Sequence, residues 1–138
     1  MAAHYLLDTN ICIYIVRRKP AEAEKRFAEL KIGDAAMSAV TFGELCYGAA
    51  KSQAPAIARS KLNELAAFLP VLAIDDECAR AYGEIRAALE AKGRIIGNSD
   101  LWIAAHARST QLILVTNNER EFKRVPGLKV ENWVKKQP

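Results

Sequence analysis

The sequence predicts an α/β fold: a single doubly wound α/β/α domain, residues 1–138, built on a parallel sheet of four to five strands. Three observations lead there. Short apolar runs, Tyr5-Leu6-Leu7, Ala35 to Val40, Val71 to Ile74 and Leu112 to Val115, are each bounded by polar or turn-forming residues, as buried strands are. Between them lie longer stretches with apolar residues at helical spacing. Strands that alternate with helices make a parallel sheet covered on both faces. With 138 residues, 51% of them hydrophobic and 26% charged, the chain is sized for one domain that buries roughly two-thirds of its unfolded surface.

Taken in order, the first strand stops at Asp8-Thr9-Asn10, and Asp8 or Thr9 can cap a helix expected from near Ile11 to Val16. Pro20 suits the first turn of a second helix, Ala21 to Leu30. Gly33-Asp34 breaks the chain before the second strand, Ala35 to Val40. Thr41 to Ala50 is expected as a helix with Phe42, Leu45, Cys46 and Ala49 on its apolar face, and Thr41-x-x-Glu44 has the form of a capping box. After Gln53-Ala54-Pro55, a helix runs from Ile57 to Leu69 with Leu62, Leu65 and Leu69 inward. Pro70 ends it before the strand Val71 to Ile74. Asp75 or Asp76 caps the next helix, whose stripe is Cys78, Tyr82, Ile85 and Leu89 and whose end is Lys92-Gly93. Gly97-Asn98-Ser99 is a turn before an alanine-rich helix, Leu101 to Ser109. The strand Leu112 to Val115 stops at Thr116-Asn117-Asn118; a short helical turn, Pro126-Gly127 and an edge strand, Leu128 to Val130, complete the chain.

Bulk properties narrow the function. No apolar run approaches the roughly 20 residues that span a bilayer, and the start lacks a basic region followed by an apolar stretch, so a soluble cytoplasmic protein with no membrane partner is expected. Cys12, Cys46 and Cys78 are odd in number and far apart, which argues against disulfides and for three small buried hydrophobes. The net charge of +4 favours polyanionic partners, with basic clusters at Arg17-Arg18-Lys19, at Arg120 with Lys123-Arg124, and at Lys135-Lys136.

Three acids share one context. Asp8 follows the first strand, Glu44 follows the second, and Asp100 opens the helix after Gly97. Strand ends and helix N-termini of a doubly wound sheet meet along one edge, where ligands bind. Singly, each acid can be a cap or a helix-dipole partner. Together, clustered carboxylates raise one another's pKa unless a cation neutralises them, and hard oxygen donors suit Mg²⁺ or Mn²⁺.

The neighbouring residues add a resemblance. Leu6 to Ile11, Ser38 to Gly48 (SAVTFGELCYG), Gly97 to Ala107 (GNSDLWIAAHA) and Leu114 to Phe122 (LVTNNEREF) resemble, in order and over nearly the whole chain, the PIN-domain ribonucleases of the VapC toxin family. The resemblance implies a Mg²⁺-dependent endoribonuclease (Mn²⁺ being an alternative ion), the toxin of a type II toxin–antitoxin pair that inhibits translation by cleaving a structured RNA such as tRNA or rRNA. It implies a cognate VapB-type antitoxin and a homodimer as partners. By matching position, Asp8 and Asp100 would be metal ligands, Glu44 would bind metal directly or through water, and Thr9, Asn10 and Thr116 would be polar supports. The reaction implied is in-line attack of metal-activated water on a phosphodiester, leaving a 5′-phosphate and a 3′-hydroxyl. The sequence departs from the broader family at Asn118, where many members carry an aspartate; Glu121, or less readily Glu119, is the replacement carboxylate.

Other residues are weighed the same way. His106 reads as structural, Trp102 as core or dimer packing, and Trp133 as a dock for the C-terminal tail. Arg94, just before the Asp100 loop, is a phosphate-binding candidate, and Tyr14, Tyr47 and the stripe from Ile57 to Leu69 are candidates for a dimer or antitoxin surface. A receiver-like domain would want an acid pair after the first strand and a lysine after the last, and an Asp-x-Asp phosphatase would want an acid where Asn10 stands; neither pattern is present. No glycine-rich phosphate loop occurs. A catalytically inactive binding domain with the same fold is the remaining alternative.

Overall fold

The computed structural model describes residues 3–134. Its strands are β1 (Tyr5–Leu7), β2 (Ala35–Ser38), β3 (Val71–Leu72), β4 (Ile113–Val115) and β5 (Val130–Glu131). Its helices are α1 (Thr9–Arg17), α2 (Ala21–Ala28), α3 (Ala39–Ala50), α4 (Pro55–Phe68), α5 (Asp76–Ala91), α6 (Asn98–Thr110) and α7 (Glu119–Phe122). The sheet has five strands in the order β3-β2-β1-β4-β5, and every pair is parallel. The expected parallel α/β architecture is therefore present, at the upper strand number. The basic pair Lys135-Lys136 lies outside the described residues.

The central strand, β1, sets the plan. Successive side chains of a strand point to opposite faces, so Leu6 enters one core with Ile85, Leu89, Leu101 and Ala104, while Leu7 enters the other with Ile11, Ile15, Leu62 and Leu65. Helices α5 and α6 thus cover one face and α1 and α4 the other. Because β1 pairs with β2 on one side and β4 on the other, it is where the strand order reverses, the position at which open α/β sheets form their ligand crevice. The register Leu7↔Val115 brings Asp8 and Thr116 to one level, and the Asp8 N–H donates to the Val115 carbonyl at 3.0 Å.

Two helix starts differ from expectation because short polar side chains cap earlier than apolar periodicity suggests. Asp8 is the N-cap of α1, which begins at Thr9 rather than Ile11. Ser38 caps α3, its Oγ accepting from the Val40 N–H at 3.1 Å, so the helix begins at Ala39 and β2 ends at Ser38. The capping-box reading of Thr41 and Glu44 is thereby corrected: Thr41 is buried inside the helix, and Glu44 lies too far along it to reach the cap amide. Cys46 is exposed, contrary to expectation, at the margin of the stripe of Phe42, Leu45 and Ala49, while Cys12 and Cys78 are buried as expected. Helix α6 starts at Asn98 with Gly97 as its cap, which puts Asp100 in the first turn.

Candidate active site

Asp8 ends the central strand and is 5% exposed. Its Oδ1 accepts from the Ile11 N–H at 2.9 Å, the bond that starts α1, and the Thr116 hydroxyl bonds to the same carboxylate. The carboxyl is pushed up to about 6, first by burial and then by the negative charges of Asp100 and Glu44, with the Thr116 and Ile11 bonds pulling the other way. The cap role and the cluster role therefore belong to one side chain.

Glu44 arrives from α3. Its Oε1 accepts from the Thr9 hydroxyl at 2.6 Å, and Thr9 Oγ1 lies 3.3 Å from Thr41 Oγ1, so α1 and α3 are tied at their first turns. Asp100 arrives from the first turn of α6, where the helix dipole favours an anion. Its pKa is nevertheless raised, first by burial, then by Glu121 and Glu44. Glu121 comes from α7 and accepts from Asn118 Nδ2 at 2.9 Å. Asn118 in turn donates its backbone N–H to Thr116 Oγ1 at 2.9 Å. Four acids from four separate segments thus share one electrostatic neighbourhood, and a relay from Asp8 through Thr116 and Asn118 reaches Glu121.

The structure separates the two candidates for the fourth acid. Glu119 pairs with Lys123 at 3.6 Å and accepts from Asn132, so it is turned toward the C-terminal strand. Glu121 is the one that raises Asp100. Two other candidates are not drawn in. Asn10 is exposed on the first turn of α1, and Arg94 is exposed in the loop before α6; among the described residues no hydrogen bond or ion pair ties either side chain to the acids. Thr41, read from sequence only as a cap, is instead a buried hydroxyl beneath Thr9; its place inside the helix becomes visible only once Ser38 is recognised as the cap.

His106 is buried in α6, with Nδ1 2.8 Å from Ser38 Oγ and a second bond to the Ala73 backbone. A carbonyl can only accept, so Nε2 carries the proton and Ser38 donates to Nδ1. Burial lowers the histidine's pKa and keeps it neutral. It joins α6 to the end of β2, a structural role as expected. Trp102 stacks on Tyr82 with centroids 3.9 Å apart. Trp133 is buried against Tyr5, docking the chain's end.

The acid set suits a hard divalent ion on two counts. Its donors are all carboxylate and hydroxyl oxygens, and among the described residues none of the four acids is in an ion pair. Among the described residues no three His, Cys, Asp or Glu side chains are placed to hold an ion together. Mg²⁺ keeps several waters and can take only one or two carboxylates from a protein.

One consequence concerns Thr116. Replacing it with valine removes a bond that lowers the Asp8 pKa, so Asp8 rises further above 6. The acid limb of a pH–rate profile for any reaction that needs ionised Asp8 should move to higher pH in Thr116→Val, with the alkaline side unchanged.

Comparison with known proteins agrees with this geometry. The PIN domain family model matches residues 5–128. Ribonuclease VapC2 of Haemophilus influenzae is 45% identical over 130 residues, 94% of this chain and 98% of that protein. The tRNA(fMet)-specific endonuclease VapC of Shigella flexneri is 46% identical over 129 residues, with 94% and 97% covered. The crystal structure of DNA-bound VapBC from Salmonella typhimurium superposes with a TM-score of 0.89 at 41% identity, covering 96% of this chain and 99% of that one.

Proposed function

The chain belongs to the PIN-domain family, among its VapC ribonucleases, and from that premise we propose that it is a metal-dependent endoribonuclease toxin of a toxin–antitoxin pair that inhibits translation by cutting a structured RNA. The observation that carries the metal-dependent part is the coupled quartet Asp8, Glu44, Asp100 and Glu121, none of which is in an ion pair among the described residues. Two relatives, from Shigella flexneri and Salmonella typhimurium, are named tRNA(fMet)-specific endonucleases, at 46% and 42% identity. That makes the initiator tRNA the substrate to test first.

Asp8 and Asp100 would hold Mg²⁺, or Mn²⁺ in its place, with Glu44 direct or through a water; the ion when bound would polarise the scissile phosphate and make a nearby water easier to deprotonate. The protein's own groups do the rest. Thr116 and the α1 amide fix the Asp8 carboxylate, and Thr9 fixes Glu44. Glu44 is exposed at the lip of the site, where it can take the proton of the attacking water. Glu121, held by Asn118, faces Asp100 and keeps negative charge on that side of the cluster. Water adds to phosphorus as the bond to the 3′ oxygen breaks; that oxygen leaves with a proton, giving a 3′-hydroxyl and a 5′-phosphate.

The partner is a VapB-type antitoxin, as in the VapBC complexes of related chains. A groove of about 440 Å³ beginning at Glu44 and lined by Ile13, Val16, Leu45, Ile57 and Leu62 offers it an apolar seat. A second copy of the chain is the other partner, and the cytoplasm, where tRNA resides, is the site of action. Among the described residues no helix is long and apolar enough to cross a membrane.

The test is cleavage of tRNA(fMet) by the antitoxin-free protein with Mg²⁺, with EDTA, and with Asp100→Asn. Discrete cleavage that EDTA abolishes and that Asp100→Asn lowers roughly a thousand-fold or more is the expected result, since a lost metal ligand forfeits several kcal/mol of charge stabilisation. Equal background cutting by parent and variant would leave a binding domain that keeps the fold without the reaction.

A further inference from the structure

We propose that Tyr47 is a substrate-positioning residue: its ring is a platform on which a base flanking the scissile phosphate stacks, with Lys51 beside it to meet the RNA backbone. The inference rests on the ribonuclease reading and adds a residue to it. Tyr47 follows Glu44 by three residues on α3, and Lys51, the C-cap of that helix, by seven, so they continue its face away from the acid cluster.

Tyr47 is 66% exposed, unusual for a large aromatic ring. Its recorded contacts are with Lys51, whose ammonium lies 5.0 Å from the ring centroid and 3.5 Å from the hydroxyl. That arrangement puts a cation over one face of the ring and leaves the opposite face open. RNA recognition by proteins favours this pair: unstacked bases settle on aromatic rings, and cations follow the backbone.

The position on the helix separates this platform from the apolar groove. At about 100° per residue, Leu45 and Ala49, which line the groove, lie roughly 100–140° to one side of Glu44, and Tyr47 about 60° to the other. Tyr47 is accordingly not among the groove's lining residues. Of its exposed neighbours, Gly43 and Lys51 lie outside that groove, while Glu44 and Gly48 line it.

The two glycines add an independent observation. A Cβ placed on Gly43 or Gly48 would meet no atom within 4 Å, so no crowding inside the molecule requires glycine at either place. Glycine weakens a helix interior relative to alanine. Gly43, one turn before Tyr47 and outside the groove, leaves bare backbone open to the close approach of a ligand from outside, whereas Gly48 faces the groove.

The experiment measures binding of intact tRNA(fMet) in an Asp100→Asn background, comparing Tyr47 with Tyr47→Ala and Tyr47→Phe. Loss of one stacked base should weaken binding about 5- to 100-fold in Tyr47→Ala, while Tyr47→Phe binds like the parent. In the cleavage-competent chain the alanine variant should raise KM and leave kcat nearly unchanged. Tyr47→Trp should report stacking directly, as fluorescence quenching by tRNA beyond that of the parent's Trp102 and Trp133. Unchanged affinity in Tyr47→Ala overturns the proposal, as does equal loss in the alanine and phenylalanine variants, which would assign the effect to the hydroxyl. Weakened antitoxin binding with RNA affinity intact also overturns it, in favour of a protein-docking face. Absence of Mg²⁺-dependent cleavage by the unmodified chain would sink the nuclease reading instead, and the binding arm still decides Tyr47.

Discussion

Asp8→Asn should give a protein that is more stable and no longer cuts RNA. The Asp8 carboxyl stands at about 6 in the folded protein against an ordinary 3.8, so the folded state holds its proton more tightly than the unfolded one. The stability that this proton confers is fully present below about pH 3.8 and is lost as pH rises through 6. At pH 7 the ionised carboxylate costs the metal-free fold about 3 kcal/mol. Asparagine removes the charge and keeps the acceptor for the Ile11 N–H, since it caps helices as well as aspartate does. Denaturant melts of metal-free protein should show the variant ahead at pH 7 and the advantage gone near pH 4. Mg²⁺ should raise the melting temperature of the parent and not of the variant. A variant no more stable than the parent at pH 7 would mean that the four acids do not burden the fold.

Trp133→Ala is expected to have the largest effect on stability of any change outside the acid cluster. The indole is 2% exposed, stands edge-on to Tyr5 of the central strand at 5.2 Å, and carries the Arg26 guanidinium 5.1 Å above it. Its Nε1 donates to Glu131, which also pairs with Arg26 at 3.1 Å. One side chain thus joins β1, α2 and β5. Truncating a buried tryptophan costs about 3–5 kcal/mol, a fall of roughly 10–15 °C in melting temperature for a chain of this size. Trp133→Phe should recover most of it. Cleavage per folded molecule should be unaffected, because the indole touches none of the acids.

The layout was legible because its signals are local. Apolar runs ended by Asp8, Asp75 or Thr116 marked the strands, and leucine spacing marked α4. Helix starts were less legible, because Ser38 and Gly97 begin helices through backbone geometry that hydrophobic periodicity does not register. The edge strands shrank to two residues, since each has a partner on one side only. The meeting of Asp8, Glu44 and Asp100 followed from where strand ends gather. The choice between Glu119 and Glu121 did not, because α7 is one turn long and its facing is set by Asn118 and Lys123, which sequence spacing cannot rank. Cys46 misled because it sits at the margin of the stripe of Phe42, Leu45 and Ala49, where helical spacing alone does not say what is covered.

The pairing of Leu7 with Val115 has a consequence in time. β1 lies at the centre of the sheet, and one of its two neighbours is made more than a hundred residues after it. Such distant partners close slowly. Asp8 is therefore without the Thr116 hydroxyl until β4 has been made. A product that stops short of β4 lacks one wall of the site.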